Sequence, residues 1–312
     1  MLSRRLLRVK VVKSVYSHVQ NEGATIAASE KELVKAIDSA YNLYFHLLSL
    51  IPHLARYAEE RIEIGLNKKL PTYEDLHPNR KFAENSLIAR LDASEALAEE
   101  CKRRKLSWKG CDDLVRSLYN TLTQQEFYRK YMESSERSFK EDAALVSAIF
   151  MNMLEENEEL EAVLEEQSLW WGDDLGFILT MASRTVLGVR ESHSDIKLME
   201  KFKSDEDLDY AKRLLRDSLA GYERISTLID RTMNNWDIER VALMDNIILV
   251  VAIAEAESFA SIPTRVTLNE YIDIAKFYST DSSSSFINGV LDRVLTTLTD
   301  EGKIVKSGKG LL

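Results

Sequence analysis

The chain is poor in residues that interrupt helices, with only 11 glycines and 4 prolines among 312 residues. Because glycine and proline are the least compatible with a helix interior, this scarcity predicts a mostly helical protein. Cysteine is rarer still, and Cys101 and Cys111 are predicted to be reduced thiols. A metal site built on them would need two further ligands, and the nearest histidine, His77, is distant in sequence. We therefore expect neither a metal nor a cofactor.

Long apolar runs are also missing. No stretch of about 18 apolar residues occurs, so the sequence predicts no transmembrane helix. The N-terminal residues are basic, but they lack the apolar segment and the small-residue cleavage site of a secretory signal. We therefore expect a cytoplasmic protein without membrane association.

Sequence patterns of catalytic sites are absent as well. The chain has no Gly-rich phosphate-binding loop, no Gly-x-Ser-x-Gly and no His-Glu-x-x-His. Glu74 and His77 have the Glu-x-x-His spacing of di-iron bundles, but this motif occurs once. It lies between Pro71 and Pro78, where a long helix cannot run. We therefore expect that the protein is not an enzyme.

Charge is unevenly distributed along the chain. The formal net charge is −10, yet five basic residues precede the first acidic one, Glu22. These five are Arg4, Arg5, Arg8, Lys10 and Lys13. A basic segment on an acidic protein is typical of a patch that contacts phosphate, although an ordinary solvated helix face has the same pattern.

The basic segment lies in a predicted amphipathic helix over residues 3 to 20. Apolar residues recur every four positions and predict one buried stripe, which consists of Leu7, Val11, Val15 and Val19. Arg4, Arg5 and Arg8 fall beside this stripe, whereas the two lysines point elsewhere. We therefore predict that only the three arginines act as one patch.

Residues 236 to 294 have the pattern of three further amphipathic helices. Apolar residues spaced three and four apart form the stripe of the first helix, namely Ile238, Val241, Ala242, Ile248, Val251 and Ala254. Pro263 ends this segment, and Thr267 with Glu270 forms a predicted capping box for the second helix. The serines at 282 to 285 are predicted caps for the third helix. Within it, Gly289 predicts the close approach of another backbone.

The middle of the chain is also predicted to be helical. Ser29 and Glu32 form a capping box that opens a long helix, which Pro52 is expected to kink or end. Residues 68 to 82 contain two prolines and are the clearest predicted loop.

Two features of the middle segment allow alternative interpretations. An acidic run over residues 155 to 166 favours a solvated helix face, with a docking surface for a basic partner as the alternative. Trp170 and Trp171 favour anchors in a core or an interface, with base stacking as the alternative.

Several of these residues together resemble the NusB family of transcription antitermination factors. The resemblance is carried by Trp236 with Arg240 and Asp245, by Ile262-Pro263, by Asn269-Glu270, and by the FINGVLD segment at residues 286 to 292. The arginine-rich segment at residues 4 to 16, which ends at Tyr16, resembles the first helix of the family. The chain is much longer than a typical member and is similar to long forms of the Bacteroidetes lineage.

The resemblance implies an all-α fold, a NusB-like helical bundle enlarged by a helical insertion. Residues 1–25 would form the N-terminal basic helix of the core, and residues 26–204 the insertion. Residues 205–312 would form the C-terminal bundle.

The resemblance also implies an RNA-binding antitermination factor. It would act with NusE, a ribosomal small-subunit protein, on the single-stranded boxA RNA of ribosomal RNA transcripts, within the transcription elongation complex. The alternative is an all-helical adaptor that binds only protein through the insertion. The excess of acidic residues outside the basic segment favours that alternative, because it repels nucleic acid.

Candidate site residues follow from the implied RNA binding. Predicted phosphate contacts are Arg4, Arg5 and Arg8, together with Lys276, which equally complements its helix dipole. The amides entering the last helix at Ser282, Ser284 and Ser285 are a second predicted anion site. Tyr16 is a further RNA-binding candidate, and Asn288 either hydrogen-bonds RNA or satisfies the neighbouring backbone. Asp281 either contacts the partner protein or caps the helix.

Overall fold

The computed structural model describes residues 2–233, 242–280 and 283–311. The chain divides into two compact units, one formed by Asp38–Lys201 and the other by Leu2–Ile37 together with Phe202–Leu312. All regular structure in the described residues is helical, apart from an isolated bridge between Leu2 and Phe202. The prediction of an all-α fold is therefore confirmed. None of the described helices has the length and apolar character needed to cross a membrane.

Fifteen α-helices are described. In chain order they are α1 (Arg4–Gln20), α2 (Ile26–Leu66), α3 (Tyr73–Leu76), α4 (Ser86–Asp92), α5 (Glu95–Arg104), α6 (Asp112–Gln124), α7 (Glu126–Glu133), α8 (Phe139–Asn152), α9 (Glu158–Gln167), α10 (Leu175–Gly188), α11 (Glu206–Ala220), α12 (Tyr222–Thr232), α13 (Leu243–Ser258), α14 (Thr264–Tyr278) and α15 (Ser283–Asp300). Short 3-10 turns occur at Gly172–Asp174 and Gly308–Leu311.

The unit formed by Leu2–Ile37 and Phe202–Leu312 is built around α13. Every residue from Ile247 to Ala256 of this helix is buried, and a helix that is apolar on all sides belongs in the interior of a bundle. Around it pack α1, α11, α12, α14 and α15. The packing of the predicted C-terminal helices on one another and of the basic first helix on their core is confirmed for the described residues.

Two predicted helix starts were wrong. Helix α14 begins at Thr264, directly after Pro263, and Thr267 lies inside its first turns with its hydroxyl turned to the core. Helix α2 begins at Ile26, where the side chain of Thr25 accepts a hydrogen bond from the Ala28 N–H at 3.2 Å. Earlier residues of suitable chemistry thus start both helices, because proline and threonine are each favoured at a helix N-terminus.

The structure also bears on two expectations about helix breakers. Helix α2 does not end at Pro52 but continues to Leu66, since the apolar residues around Pro52 are buried and offset its cost of about 3 kcal/mol. Gly289 is exposed, and no described heavy atom lies within 4 Å of the position that its Cβ would take. Close backbone approach therefore does not explain this glycine.

The unit formed by Asp38–Lys201 has a core in which aromatic side chains pack on α2. Helix α8 packs on α4, α7 and α10. The indole N–H groups of Trp108 and Trp171 donate to the backbone carbonyls of His46 and Ser39, both at 2.9 Å. Trp171 is buried whereas Trp170 is 39% exposed, so the tryptophan pair divides between core and surface.

Two segments of this unit bear on the sequence predictions. The predicted loop at residues 68 to 82 is irregular, except for the single turn of α3. The acidic residues of the 155 to 166 run are exposed on and before α9.

Candidate nucleic-acid interface

Arg8 does not lie at the surface where it was predicted. Its side chain is only 4% exposed, and its Nε and Nη2 donate to the two carboxylate oxygens of Glu255 on α13 at 2.7 and 3.1 Å. Removing the guanidinium from this pair would leave Glu255 as an unpaired buried charge, which is strongly unfavourable. The prediction that the three arginines form one patch is therefore wrong for Arg8.

Glu255 is the centre of a buried polar network. Besides Arg8, its carboxylate accepts hydrogen bonds from Thr267 Oγ1 at 2.7 Å, from the Tyr271 hydroxyl at 3.4 Å, and from the Tyr210 hydroxyl. These donors come from α1, α11 and α14, so the network joins three helices to α13. The sequence carried a signal for Glu255 that was not used: it lies between two alanines and four residues after Val251, in line with the apolar stripe of its helix.

The pKa values of the donors in this network are raised, so the donors keep the protons that their hydrogen bonds need. Burial, followed by the charge of Glu255, raises the pKa of Tyr210 and Tyr271, so both phenols remain protonated donors. Burial opposes the charged form of Arg8, but Tyr210 and Glu255 outweigh it and raise the pKa of Arg8. Arg8 thus remains a cation.

Arg5, in contrast to Arg8, is half-exposed, and its guanidinium packs against side chains of α14. Its Nε and Nη2 donate to the two oxygens of Glu270 at 2.9 and 3.0 Å. Nη2 also donates to Oδ2 of Asp273 at 3.0 Å. The second oxygen of Asp273 accepts from Lys276 Nζ at 3.0 Å. Two predicted phosphate contacts, Arg5 and Lys276, are therefore brought together on one face, with acidic side chains between them.

Arg4 is also partly exposed, at 39% of its side chain. Its Nε donates to Asp207 Oδ1 at 3.1 Å, and its guanidinium lies 4.9 Å from the centre of the Tyr210 ring. The other oxygen of Asp207 accepts the backbone N–H groups of Lys203 and Ser204 just before α11. Arg4 is thus oriented by α11, whereas Arg5 is oriented by α14.

The serine run lies where α14 is followed by α15. Ser283 is buried and donates to Asp245 Oδ2 at 2.8 Å, and Ser279 donates to the other oxygen of Asp245. Ser284 is half-buried, while Ser285 is exposed. The buried serine therefore anchors the start of α15, and its two successors are available at the surface.

The remaining predicted residues are at the surface or outside the described residues. Tyr16 is 37% exposed, and Asn288 is exposed on α15. Asp281 and Ser282 lie outside the described residues, so the structure places neither.

One exposed aromatic residue was missed in the sequence. Phe277 is 81% exposed on α14, directly after Lys276 and one helical turn beyond Asp273. A signal existed, because Phe277 falls off the apolar stripe that includes Ile274 and Ala275. The next residue, Tyr278, has the ammonium group of Lys13 at 4.7 Å from its ring centre. The last turn of α14 therefore combines aromatic and cationic groups.

Part of the chain is similar in sequence to known proteins. The model of the NusB family matches residues 180–296. The chain is 40% identical over 111 residues to the transcription antitermination protein NusB of Salinibacter ruber, which covers 35% of this chain and 69% of that protein. It is 36% identical over 96 residues to the transcription antitermination protein NusB of Listeria monocytogenes, which covers 31% of this chain and 75% of that protein.

A solved structure of T. maritima NusB is 25% identical to this chain, with a TM-score of 0.30, and the match covers 54% of this chain and 98% of that one. The chain is longer than the relatives that it matches, since the same aligned residues are a much smaller share of it. The family is one of non-enzymatic transcription antitermination factors. On the extent and identity of these matches, the chain belongs to the NusB family.

Proposed function

We propose that this protein is a transcription antitermination factor that binds single-stranded RNA. The observation that carries the proposal is the surface shared by α1 and α14, where the side chains of Arg5, Lys276 and Phe277 are exposed. The relatives named above are transcription antitermination proteins, which supports the same role here. We assign the function to the unit formed by Leu2–Ile37 and Phe202–Leu312.

The chemistry of this surface suits a single strand. Cations set affinity by contacting phosphates, and exposed aromatic rings stack on unpaired bases. Arg4, Arg5 and Lys276 would contact phosphates, while Tyr16 and Phe277 would stack on bases. Arg8 has no part in this proposal, because its guanidinium is held in the interior by Glu255.

The start of α15 extends the proposed surface. Ser284 and Ser285 stand in the first turn of a long helix, where backbone N–H groups favour an anion. Asn288 is exposed one turn further on and can present an amide to a base edge. Ser282 and Asp281 precede this turn in the sequence and remain predicted contacts to RNA and to a partner protein, respectively.

The finer assignments come from the family resemblance. We propose that NusE is the protein partner, that boxA RNA of ribosomal RNA transcripts is the ligand, and that the complex acts on the transcription elongation complex. A heterodimer would add part of the RNA-binding surface, since a single strand is recognised by phosphate contacts together with exposed base edges.

A filter-binding titration tests the proposal. The full chain is titrated into a boxA-like single-stranded RNA and into a scrambled RNA, each with and without NusE. We expect binding to both RNAs, and a preference for boxA that increases with NusE. If the chain binds neither RNA, both in the presence and in the absence of NusE, the proposal is contradicted.

The double variant Arg4→Ala/Arg5→Ala tests the surface itself. Each lost phosphate contact on a single strand lowers the slope of log affinity against log salt by about 0.7, so we expect a decrease of about 1.4 for both RNAs. Arg213→Ala/Arg224→Ala is the matched control, because it removes two half-exposed arginines of α11 and α12. An equal decrease in the control would mean that net charge, and not this surface, determines binding.

A further inference from the structure

Asp273 lies between two cations of the proposed RNA-binding surface. Its Oδ2 accepts a hydrogen bond from Arg5 Nη2 and its Oδ1 from Lys276 Nζ, both at 3.0 Å. Its side chain is 36% exposed, so the pairing takes place at the surface. One carboxylate therefore uses one oxygen for a cation of α1 and the other for a cation of α14.

A phosphate group can accept the same hydrogen bonds as this carboxylate. Both are anions with several acceptor oxygens, and both accept charge-assisted hydrogen bonds from guanidinium and ammonium groups in the same geometry. The hydrogen bond from Lys276, followed by the charge of that lysine and of Arg5, lowers the pKa of Asp273. Asp273 is thus an anion at neutral pH, and it occupies the donors that RNA would use.

Glu270 also pairs with Arg5 but differs in its surroundings. It is only 21% exposed, and one of its oxygens lies 3.5 Å from the buried Arg8. Glu270 is therefore coupled to the interior network and orients Arg5 on α14. Among the described residues, Asp273 pairs only with the two surface cations. Of the two carboxylates, Asp273 is the one that can be released without disturbing the core.

We propose that Asp273 is an intramolecular competitor of RNA phosphate. Binding of RNA exchanges this carboxylate for phosphate at Arg5 and Lys276, so Asp273 lowers the affinity for RNA. Because both cations are released together, an RNA that engages both gains more than one that engages either alone. This inference rests on the proposed RNA-binding function.

The test compares the full chain with Asp273→Asn, which keeps the shape of the side chain and removes its charge. Fluorescence anisotropy with a labelled boxA-like single strand measures affinity over a range of salt concentrations. We expect Asp273→Asn to bind on the order of 3- to 10-fold more tightly at low salt, in line with the small energies of exposed ion pairs. Asp273→Ala is measured alongside, because the asparagine amide can retain one hydrogen bond to Arg5.

Glu257→Gln is the matched control. It removes a carboxylate that pairs with the half-exposed Arg224, where Oε2 and Nη2 are 2.5 Å apart, and it makes the same change in net charge. We expect it to alter RNA affinity less than about twofold. A third arm places Asp273→Asn in an Arg5→Ala/Lys276→Ala background, where the gain should vanish because both competed cations are absent.

The outcomes separate this inference from the proposed function. If the wild type binds RNA and neither Asp273 variant binds more tightly, the competitor role is overturned while RNA binding stands. A gain of equal size in Glu257→Gln, or a gain that persists without both cations, also overturns it. If neither the wild type nor any variant binds RNA, the proposed function fails, and this inference fails with it.

Discussion

Both units contain a fully buried polar side chain near their centre, Glu255 in one and His46 in the other, and they stabilise these two side chains in opposite ways. Glu255, in the unit that carries the proposed interface, is 0% exposed and paired with Arg8. His46, in the unit formed by Asp38–Lys201, is also 0% exposed, but neither of its ring nitrogens has a hydrogen-bond partner in the part of the chain that the structure describes. Glu255 thus has an oppositely charged partner, whereas His46 has no hydrogen-bond partner among the described residues.

The surroundings of each group explain this difference. Glu255 has a guanidinium and three hydroxyls directed at its oxygens, so the ionised form is satisfied. The ring of His46 stacks on Trp108 with centres 3.8 Å apart and planes 7° from parallel, and Trp171 lies 5.2 Å away. Burial lowers the pKa of His46 to about 4, while a weaker interaction with Gln167, outside hydrogen-bonding geometry, opposes the shift.

The two cores are specified by different kinds of contact. Directional hydrogen bonds at Glu255 fix α1, α11 and α14 relative to α13, and thereby fix the helices that present Arg4, Arg5 and Lys276. Stacking at His46 is less directional and serves packing. A polar network thus lies beneath the proposed binding surface, whereas aromatic packing fills the core of the other unit.

The largest effect is expected from breaking the Glu255 network. Glu255→Ala removes the carboxylate that forms both short hydrogen bonds to the buried Arg8 and leaves it only Glu270 at 3.5 Å, so the free energy of unfolding should fall by about 3 to 5 kcal/mol. Chemical denaturation followed by circular dichroism measures this change. Glu257→Ala is the control on the same helix, because its exposed ion pair should contribute no more than about 1 kcal/mol. Equal losses would mean that the network has no special importance.

The pH dependence of stability should show that the buried His46 is neutral. Its folded pKa of about 4 lies below the ordinary 6.5, so the unfolded chain binds the proton first as pH falls. The contribution of His46 to stability is therefore complete above pH 6.5, decreases between pH 6.5 and 4, and amounts to about 3 kcal/mol. The measurement is the difference in pH dependence between the wild type and His46→Leu. Parallel curves would contradict a neutral buried histidine.

A double substitution should show whether the buried charges are needed for stability. Arg8→Met/Glu255→Met removes both charges, and it should be more stable than Glu255→Ala by about 2 kcal/mol, since no unpaired buried charge remains. Recovery should be partial, because the hydroxyls of Tyr210, Thr267 and Tyr271 lose their acceptor. Thermal unfolding of the single and double variants provides the comparison. If the double variant is no more stable than Glu255→Ala, the loss of stability comes from the hydrogen bonds of the three hydroxyls alone.

The smallest effect is expected for His46→Leu at pH 7. The neutral ring gives up no described hydrogen bond, and leucine is of similar size, so stability should stay within about 1.5 kcal/mol of the wild type. Chemical denaturation at pH 7 measures the difference. A loss as large as that of Glu255→Ala would remove the contrast between the two sites.

The sequence predicted much of the NusB-like unit because its signals are local. Leu7, Val11 and Val15 repeat at the helical period, and the structure buries all three, whereas Val19 at the end of the same stripe is half-buried. The stripe of the first C-terminal helix is likewise buried at Ile248, Val251 and Ala254. Ala242 was wrongly placed on it, since it is exposed just before α13, and Ile238 and Val241 lie outside the described residues. Periodicity reports which face of a helix is apolar, and the hydrophobic effect then turns that face inward.

Helix starts and the polar residues of the site were less predictable. Thr267 has the chemistry of an N-cap, yet it serves as a donor to Glu255 inside α14. Pro52 has the chemistry of a helix breaker, yet α2 continues through it. In both cases the local preference is on the order of 1 to 3 kcal/mol, and tertiary contacts of similar or greater energy decide the outcome.

The sequence by itself determined that the protein is helical, that its first helix carries arginines beside an apolar stripe, and that its C-terminal helices have the pattern of the NusB family. Only the tertiary structure separated Arg5 from Arg8, which lie one helical turn apart. Arg8 faces Glu255, a residue 247 positions away, while Arg5 reaches the exposed carboxylates of α14. The environment of a charged side chain depends on which distant residue packs opposite it, and no spacing along one helix contains that information.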